Sequence, residues 1–163
     1  GVPSIFVNRY TRGRLVGFNY HCVSDTPPPH IRHLYSTTTL SAFAEHLQFI
    51  SDNYTLLTYQ QLHECLLGDS PLPDNPAFVS FDDGLAESFE QVRSLLLDLA
   101  VPCSFYVVTD SLDNNRMMMR HQVSLCIDKF QQLEHAHKGK FEALSESMST
   151  THAVRIDSWT TFA

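Results

Sequence analysis

The sequence predicts an α/β fold, either layered or closed into a barrel, in which parallel strands are covered by helices. Two observations support this class. Short β-prone segments alternate along the chain with segments whose apolar residues recur at helical spacing, and turns rich in proline, glycine and aspartate separate them. This alternation is typical of parallel strands joined by helices. With 163 residues, 43% of them hydrophobic, the chain is predicted to form a single domain, 1–163.

Four short segments are predicted as strands because they are apolar and rich in β-branched or aromatic residues. They are residues 15–20, 55–58, 77–81 and 103–108. The third, Ala-Phe-Val-Ser-Phe, ends directly at Asp82-Asp83-Gly84.

Three amphipathic helices are predicted between the strands, and a mainly helical region follows them. Their approximate limits are residues 39–53, 58–68, 84–101 and 116–147. The second helix has the clearest start, since Thr58 and Gln61 match a capping box, and Gly68 is predicted to stop it. The segments at 24–37 and 69–76 each contain three prolines and are predicted as loops.

The charge of the chain argues against one class of partner. Eleven basic and eighteen acidic residues give a net charge of −7. Binding to nucleic acid normally needs a basic surface that displaces counterions. We therefore expect no nucleic-acid partner.

The cysteines and the apolar segments bear on location. Cys22, Cys65, Cys103 and Cys126 are far apart and form no CxxC pair, so free thiols in a reducing compartment are expected. No apolar run has the roughly 20 residues of a membrane span, and residues 1–20 show no leader. This favours the cytoplasm. An extracytoplasmic location stays open, because the chain begins with Gly and a leader could have been trimmed.

Asp82-Asp83-Gly84 is the sharpest chemical feature. Active sites of α/β folds gather at the carboxyl ends of strands. Of two adjacent carboxylates there, one can bind a divalent cation while the other acts as a base. The alternative is an ordinary polar turn, since turns often use Asp and Gly.

Three segments in order resemble the polysaccharide deacetylases (carbohydrate esterase family 4). Residues 78–84, Phe-Val-Ser-Phe-Asp-Asp-Gly, are similar to the family's first motif, usually Thr-Phe-Asp-Asp-Gly, with Ser80 in the Thr position. Residues 20–24, Tyr-His-Cys-Val-Ser, resemble the family's early Tyr-His strand. Residues 101–108 resemble its Ile-Pro-Ala-Thr-Phe-Phe strand, and the likeness runs from about Leu15 to His121.

The resemblance implies a partial or distorted (β/α) barrel and hydrolysis of the carbon–nitrogen bond of an N-acetylated carbohydrate. It implies a divalent metal, expected to be zinc, with Asp82 as the general base and Asp83 as a metal ligand. His21 ends the first strand and is expected at the same rim, where it is our second proposed metal ligand. A core histidine is the alternative for His21, because Phe18 and Tyr20 flank it. No substrate-binding residue is identified.

The chain also departs from the family. The family completes its metal site with a later His-Ser/Thr-x-x-His motif, and none follows Asp83; the later histidines are His121, His135, His137 and His152. Residues 158–161, Ser-Trp-Thr-Thr, resemble the segment that often precedes that motif. We therefore expect the N-terminal part of a barrel whose metal site is incomplete.

Three functional hypotheses remain open at this stage. The first is the metal-dependent deacetylase. The second is a non-catalytic truncated barrel that binds carbohydrate or a partner chain, with an uncovered surface, including Met117-Met118-Met119, that drives homo-oligomerisation. The third, another metal-assisted hydrolase such as a phosphatase, lacks the expected Gly-rich phosphate loop. A His-x-x-His at His30 and His33 is expected to belong to a hydrogen-bonded or solvated loop.

Overall fold

The structure, a computed structural model, describes residues 11, 13–136 and 139. They fall into two compact units: residues 11, 13–26 and 37–115 form the first, and residues 27–36, 116–136 and 139 form the second. The single domain 1–163 stays a prediction. The sequence interpretations of His137, His152 and residues 158–161 lie outside the described residues. Among the helices described, none combines the length and the apolar character that a membrane crossing requires.

The first unit is built on a parallel sheet, as the alternation of elements predicts. Its strands are β1 (Val16–Tyr20), β2 (Thr55–Leu56), β3 (Pro76–Phe81) and β4 (Ser104–Phe105). β3 is the central strand and pairs in parallel with each of the other three. β2 pairs with the first two residues of β3, and β4 pairs with the last two residues of β3. The neighbours of β3 at its carboxyl end are therefore β1 and β4.

Three helices of the first unit follow the predicted order. They are α1 (Leu40–Asn53), α2 (Tyr59–Leu67) and α3 (Ala86–Asp98). The capping box at the start of α2 is confirmed: the Gln61 backbone N–H donates to the Thr58 hydroxyl oxygen, and the Thr58 backbone N–H donates to the Gln61 side chain at 2.9 Å. Gly68 ends the helix with φ of 85°, the left-handed conformation that glycine adopts without strain.

The core lies on the face of β3 that carries Val79 and Phe81. Both are almost completely buried, and they pack in one cluster with apolar residues of α1 and α3. A second, smaller cluster joins Phe78 to Leu57 and Leu62 of the α2 region. Alternate residues of β3 therefore enter different apolar clusters, which is why all six residues of the strand are buried.

The second unit consists of the proline-rich segment Pro27–Ser36 packed on α4 (Met119–Ala136). Fully buried Ser124 links them: its hydroxyl donates to the Pro29 carbonyl at 2.7 Å and accepts from the His33 backbone N–H at 3.3 Å. Asp128, also buried, pairs with Arg32 and accepts from Gln132 at 2.6 Å. His30 and His33 thus belong to a hydrogen-bonded loop.

Candidate active site

Asp82 lies immediately after β3, where the sheet ends. Its backbone N–H donates to the Tyr20 carbonyl at 2.9 Å, which continues the pairing of β1 with β3 by one residue. The side chain of Asp82 is 39% exposed. The sequence-predicted base therefore has a fixed backbone and a carboxylate that water can reach.

A short chain of hydrogen bonds holds the Asp82 carboxylate. The Ser80 hydroxyl donates to Asn19 Oδ1 at 3.0 Å, and Asn19 Nδ2 donates to Asp82 Oδ2 at 2.8 Å. Asn19 and Ser80 are direct partners in the register of β1 with β3. Hydrogen bonds from a neutral amide to a carboxylate are charge-assisted and stronger than neutral ones. The carboxylate is thus tied to two neighbouring strands at once.

His21 lies beside Asp82, as expected for two residues that follow adjacent parallel strands. Its Nε2 atom is 3.9 Å from Asp82 Oδ2, and its side chain is 38% exposed. The backbone at His21 is anchored from α3, since the buried Ser88 hydroxyl donates to the His21 carbonyl at 2.7 Å. The structure therefore brings together Asp82 and His21, one carboxylate and one imidazole, at a surface that solvent reaches.

Asp83 begins the turn that takes the chain away from the sheet. Its φ is 72°, and that of Gly84 is 65°, so both residues are in the left-handed region. Aspartate tolerates this region better than most residues because its short polar side chain can bond locally. The regular alternation of the strand has ended at Asp83, which lies in the turn.

The residues present supply only part of a catalytic metal site. In residues 11, 13–136 and 139 there is no group of three or more His, Cys, Asp or Glu side chains that could hold an ion. Catalytic zinc usually has three protein ligands. Burial raises the pKa of Cys22 to about 11 and that of Cys103 to about 12, so neither thiol ionises readily to become a ligand.

Tyr20 supports the site from the opposite side of β1. Its ring stacks on Phe81 at 5.5 Å and meets Phe43 edge-on at 4.9 Å. Burial, together with the nearby Cys103 thiol, raises the pKa of the Tyr20 phenol. Tyr20 is a packing residue under the site.

Sequence reasoning missed the roles of Asn19, Ser80 and Ser88. A signal for the first two exists, because Asn19 is two residues before His21 and Ser80 is two residues before Asp82. A spacing of two places residues on the same face of a strand. Ser88 offers no comparable signal, since its contact with His21 depends on how α3 packs.

Comparison of the sequence with protein families and with curated proteins finds no match. Solved structures do match. A de-N-acetylase from Aggregatibacter actinomycetemcomitans is 25% identical with a TM-score of 0.52, and the match covers 64% of this chain and 42% of that one.

Two further structures agree in fold. IcaB from Ammonifex degensii is 23% identical with a TM-score of 0.54, over 65% of this chain and 42% of that one. The Streptococcus pyogenes deacetylase PplD, solved in complex with acetate, is 13% identical with a TM-score of 0.53, over 68% and 51%. The chain therefore spans about half the length of these structures or less. The resemblance to the polysaccharide deacetylases, first seen in three sequence segments, is confirmed by the fold.

Proposed function

We propose that this chain is part of a carbohydrate N-deacetylase that hydrolyses the carbon–nitrogen bond of an N-acetyl group. The observation that carries the proposal is the position of Asp82: it follows the central parallel strand, in the first motif of the deacetylase pattern, with its carboxylate held by Asn19. The fold likeness to structures named as deacetylases supports the same reaction class.

In the proposed reaction, Asp82 is the general base. Its carboxylate removes a proton from water as the water oxygen attacks the acetyl carbonyl carbon. The carbon–nitrogen bond then breaks, the nitrogen takes up a proton, and the products are acetate and the free amino sugar. His21 is close enough to Asp82 to act on the same water or on the developing charge, with 3.9 Å between the two side chains.

A divalent metal, zinc by preference, is the proposed cofactor, with Asp83 and His21 as the ligands that this chain offers. When bound in such a site, zinc polarises a carbonyl and activates water. The described residues do not complete the usual set of three ligands. The proposal for the metal is therefore limited to binding by Asp83 and His21.

Acetate release from an N-acetylglucosamine oligomer, with added Zn²⁺, tests the proposal directly. We expect release by the wild-type chain and a loss of at least about 100-fold in kcat for Asp82→Asn, because the variant cannot accept the proton. Asp98→Asn, which changes an exposed aspartate at the end of α3, is the matched control and should keep wild-type activity.

Calorimetry with Zn²⁺ alone tests the cofactor separately. Binding that disappears in Asp83→Ala and survives in Asp98→Asn supports Asp83 as a ligand. Binding that is the same in all three proteins would contradict it.

One observation favours the second hypothesis, a non-catalytic module that binds carbohydrate or a partner chain. It is the incomplete ligand set among the described residues. Neither acetate release nor zinc binding, combined with retention of the chain on an N-acetylated polysaccharide, would favour that module over the enzyme. Size-exclusion chromatography tests the accompanying proposal of a homo-oligomer.

A further inference from the structure

We infer that Asn19 is a positioning residue for Asp82, and that the Ser80 hydroxyl holds the Asn19 amide with its nitrogen facing the carboxylate. The inference rests on the proposed function, in which Asp82 is the base. According to this inference, two strands position the Asp82 carboxylate, since Asn19 belongs to β1 and Ser80 to β3.

The orientation of the Asn19 amide follows from the hydrogen-bonding capacity of its neighbours. An amide side chain has an oxygen that only accepts and a nitrogen that only donates. Ionised Asp82 can only accept, so it faces the amide nitrogen, whereas the Ser80 hydroxyl can donate or accept and donates to the amide oxygen. The arrangement in which Ser80 donates to Oδ1 and Nδ2 donates to Asp82 is therefore the one that satisfies all three groups.

The sheet fixes the distances in this chain of contacts. Asn19 and Ser80 face each other in the register of two parallel strands, and β1 is paired with β3 along all five of its residues. Ser80 is 8% exposed, so its hydroxyl has little access to water as an alternative partner. Backbones held by strand pairing position functional groups more rigidly than loops do.

The consequence concerns the two oxygens of the carboxylate. Both described contacts of Asp82 involve Oδ2: the hydrogen bond from Asn19 at 2.8 Å and the approach of His21 Nε2 at 3.9 Å. These contacts hold the carboxylate through Oδ2. A half-exposed carboxylate would otherwise rotate among several orientations, and misplacement of the base lowers the rate.

The substitution Asn19→Asp replaces the donor with an acceptor. It keeps the shape of the side chain, removes the N–H group and introduces a like charge beside Asp82. The matched control is Gln48→Ala, which deletes another amide-to-carboxylate hydrogen bond of the same length, 2.8 Å, to Asp52 on the surface of α1. Asn19→Gln, which keeps the donor on a longer side chain, serves as the conservative variant. Thermal unfolding confirms that each variant is folded.

The first measurement needs no catalysis. In ¹⁵N-labelled protein, the side-chain amide signals of Asn19 are identified by their loss in Asn19→Asp. We expect them to shift in Asp82→Asn and in Ser80→Ala, and to stay in place in Gln48→Ala. If the chemical shifts of the Asn19 amide change in neither Asp82→Asn nor Ser80→Ala, the inference is overturned.

The second measurement is acetate release. Loss of a hydrogen bond to a charged group, together with the like charge placed beside Asp82, predicts a fall in kcat of at least about 10- to 100-fold for Asn19→Asp, with KM changed by less than about twofold. Asn19→Gln is expected to recover part of the loss, which a merely structural role would not produce. Activity in Asn19→Asp equal to that in Gln48→Ala, with an active wild type, overturns the inference and leaves the proposed function standing. A wild type that releases no acetate overturns the proposed function itself, whatever the amide signals show.

Discussion

Gly84 passes so close to Val107 that a Cβ atom on Gly84 would lie 2.9 Å from Val107 Cγ1 and 3.2 Å from its Cα. The turn after Asp83 is thus pressed against the chain that follows β4. Glycine is the residue that fits at position 84 without a shift of Val107. The φ of 65° at Gly84 also favours glycine, because this left-handed conformation strains residues that have a Cβ.

Gly84→Ala should therefore destabilise the protein through two effects. The left-handed backbone costs about 1–2 kcal/mol for a residue with a Cβ, and the contact with Val107 adds about 1–3 kcal/mol of overpacking. Gly68→Ala is the matched control, since its φ is 85° and nothing lies within 4 Å of the added atom. Urea unfolding compares the two. Equal losses in the free energy of unfolding would contradict the close contact.

Ser88→Ala should lower the free energy of unfolding by about 1–3 kcal/mol, because it leaves the His21 carbonyl without its buried donor. The substitution should also loosen the backbone at His21, which faster amide hydrogen exchange there would reveal. Ser94→Ala, at an exposed position of the same helix, should change the stability by no more than about 0.5 kcal/mol. Similar effects of the two substitutions would rule out the anchoring role of Ser88.

Two thiols of the first unit, those of Cys22 and Cys103, predict a loss of stability at alkaline pH. Burial raises the pKa of Cys22 to about 11 and that of Cys103 to about 12, from an ordinary value of 9.0. Above pH 9 the unfolded chain loses these protons while the folded chain keeps them, so the free energy of unfolding falls as pH rises towards 11. Urea unfolding at several pH values between 7.5 and 10.5 measures the slope.

The matched comparison for the thiols is Cys103→Ala, which should reduce that slope, against Cys126→Ala, which removes an exposed thiol. A slope unchanged in Cys103→Ala would show that other groups cause the alkaline loss.

In the second unit, Ser124→Ala should cost about 1–3 kcal/mol. The substitution removes both the donor to the Pro29 carbonyl and the acceptor of the His33 N–H, at a position with no exposure. We expect faster proteolysis within residues 27–36 as the direct readout. Gln122→Ala, on an exposed position of α4, serves as the control, and equal proteolysis of the two variants would be evidence against the link.

Features that depend on neighbouring residues were predictable from the sequence. The capping box of Thr58 and Gln61 and the stop at Gly68 need only a few positions of the chain, and both are confirmed. The place of Asp82 after a buried strand was predictable for the same reason, since the apolar run and the turn are adjacent.

Features that depend on the exact register between distant segments were not predictable, although the proximity of His21 and Asp82 was expected from the ends of parallel strands. The Asn19–Ser80 contact joins residues 61 positions apart, and it exists only because β1 pairs with β3 in one register. β4 is shorter than its apolar segment suggests, since its length is set by how far β3 extends beside it. Phe89 is 49% exposed, although it stands at helical spacing from the buried Val92 and Leu96 of α3.

The central position of β3 has a consequence for the order in which the chain can fold. Every described strand pairing includes β3, which begins at Pro76. As the chain leaves the ribosome, β1 and β2 therefore emerge before the only strand with which they pair in the described structure. For that interval their apolar residues have helices but no sheet to pack against. A nascent chain stalled before residue 76 should bind chaperones that recognise exposed apolar segments. A nascent chain long enough for residue 81 to have left the ribosome should bind the same chaperones less.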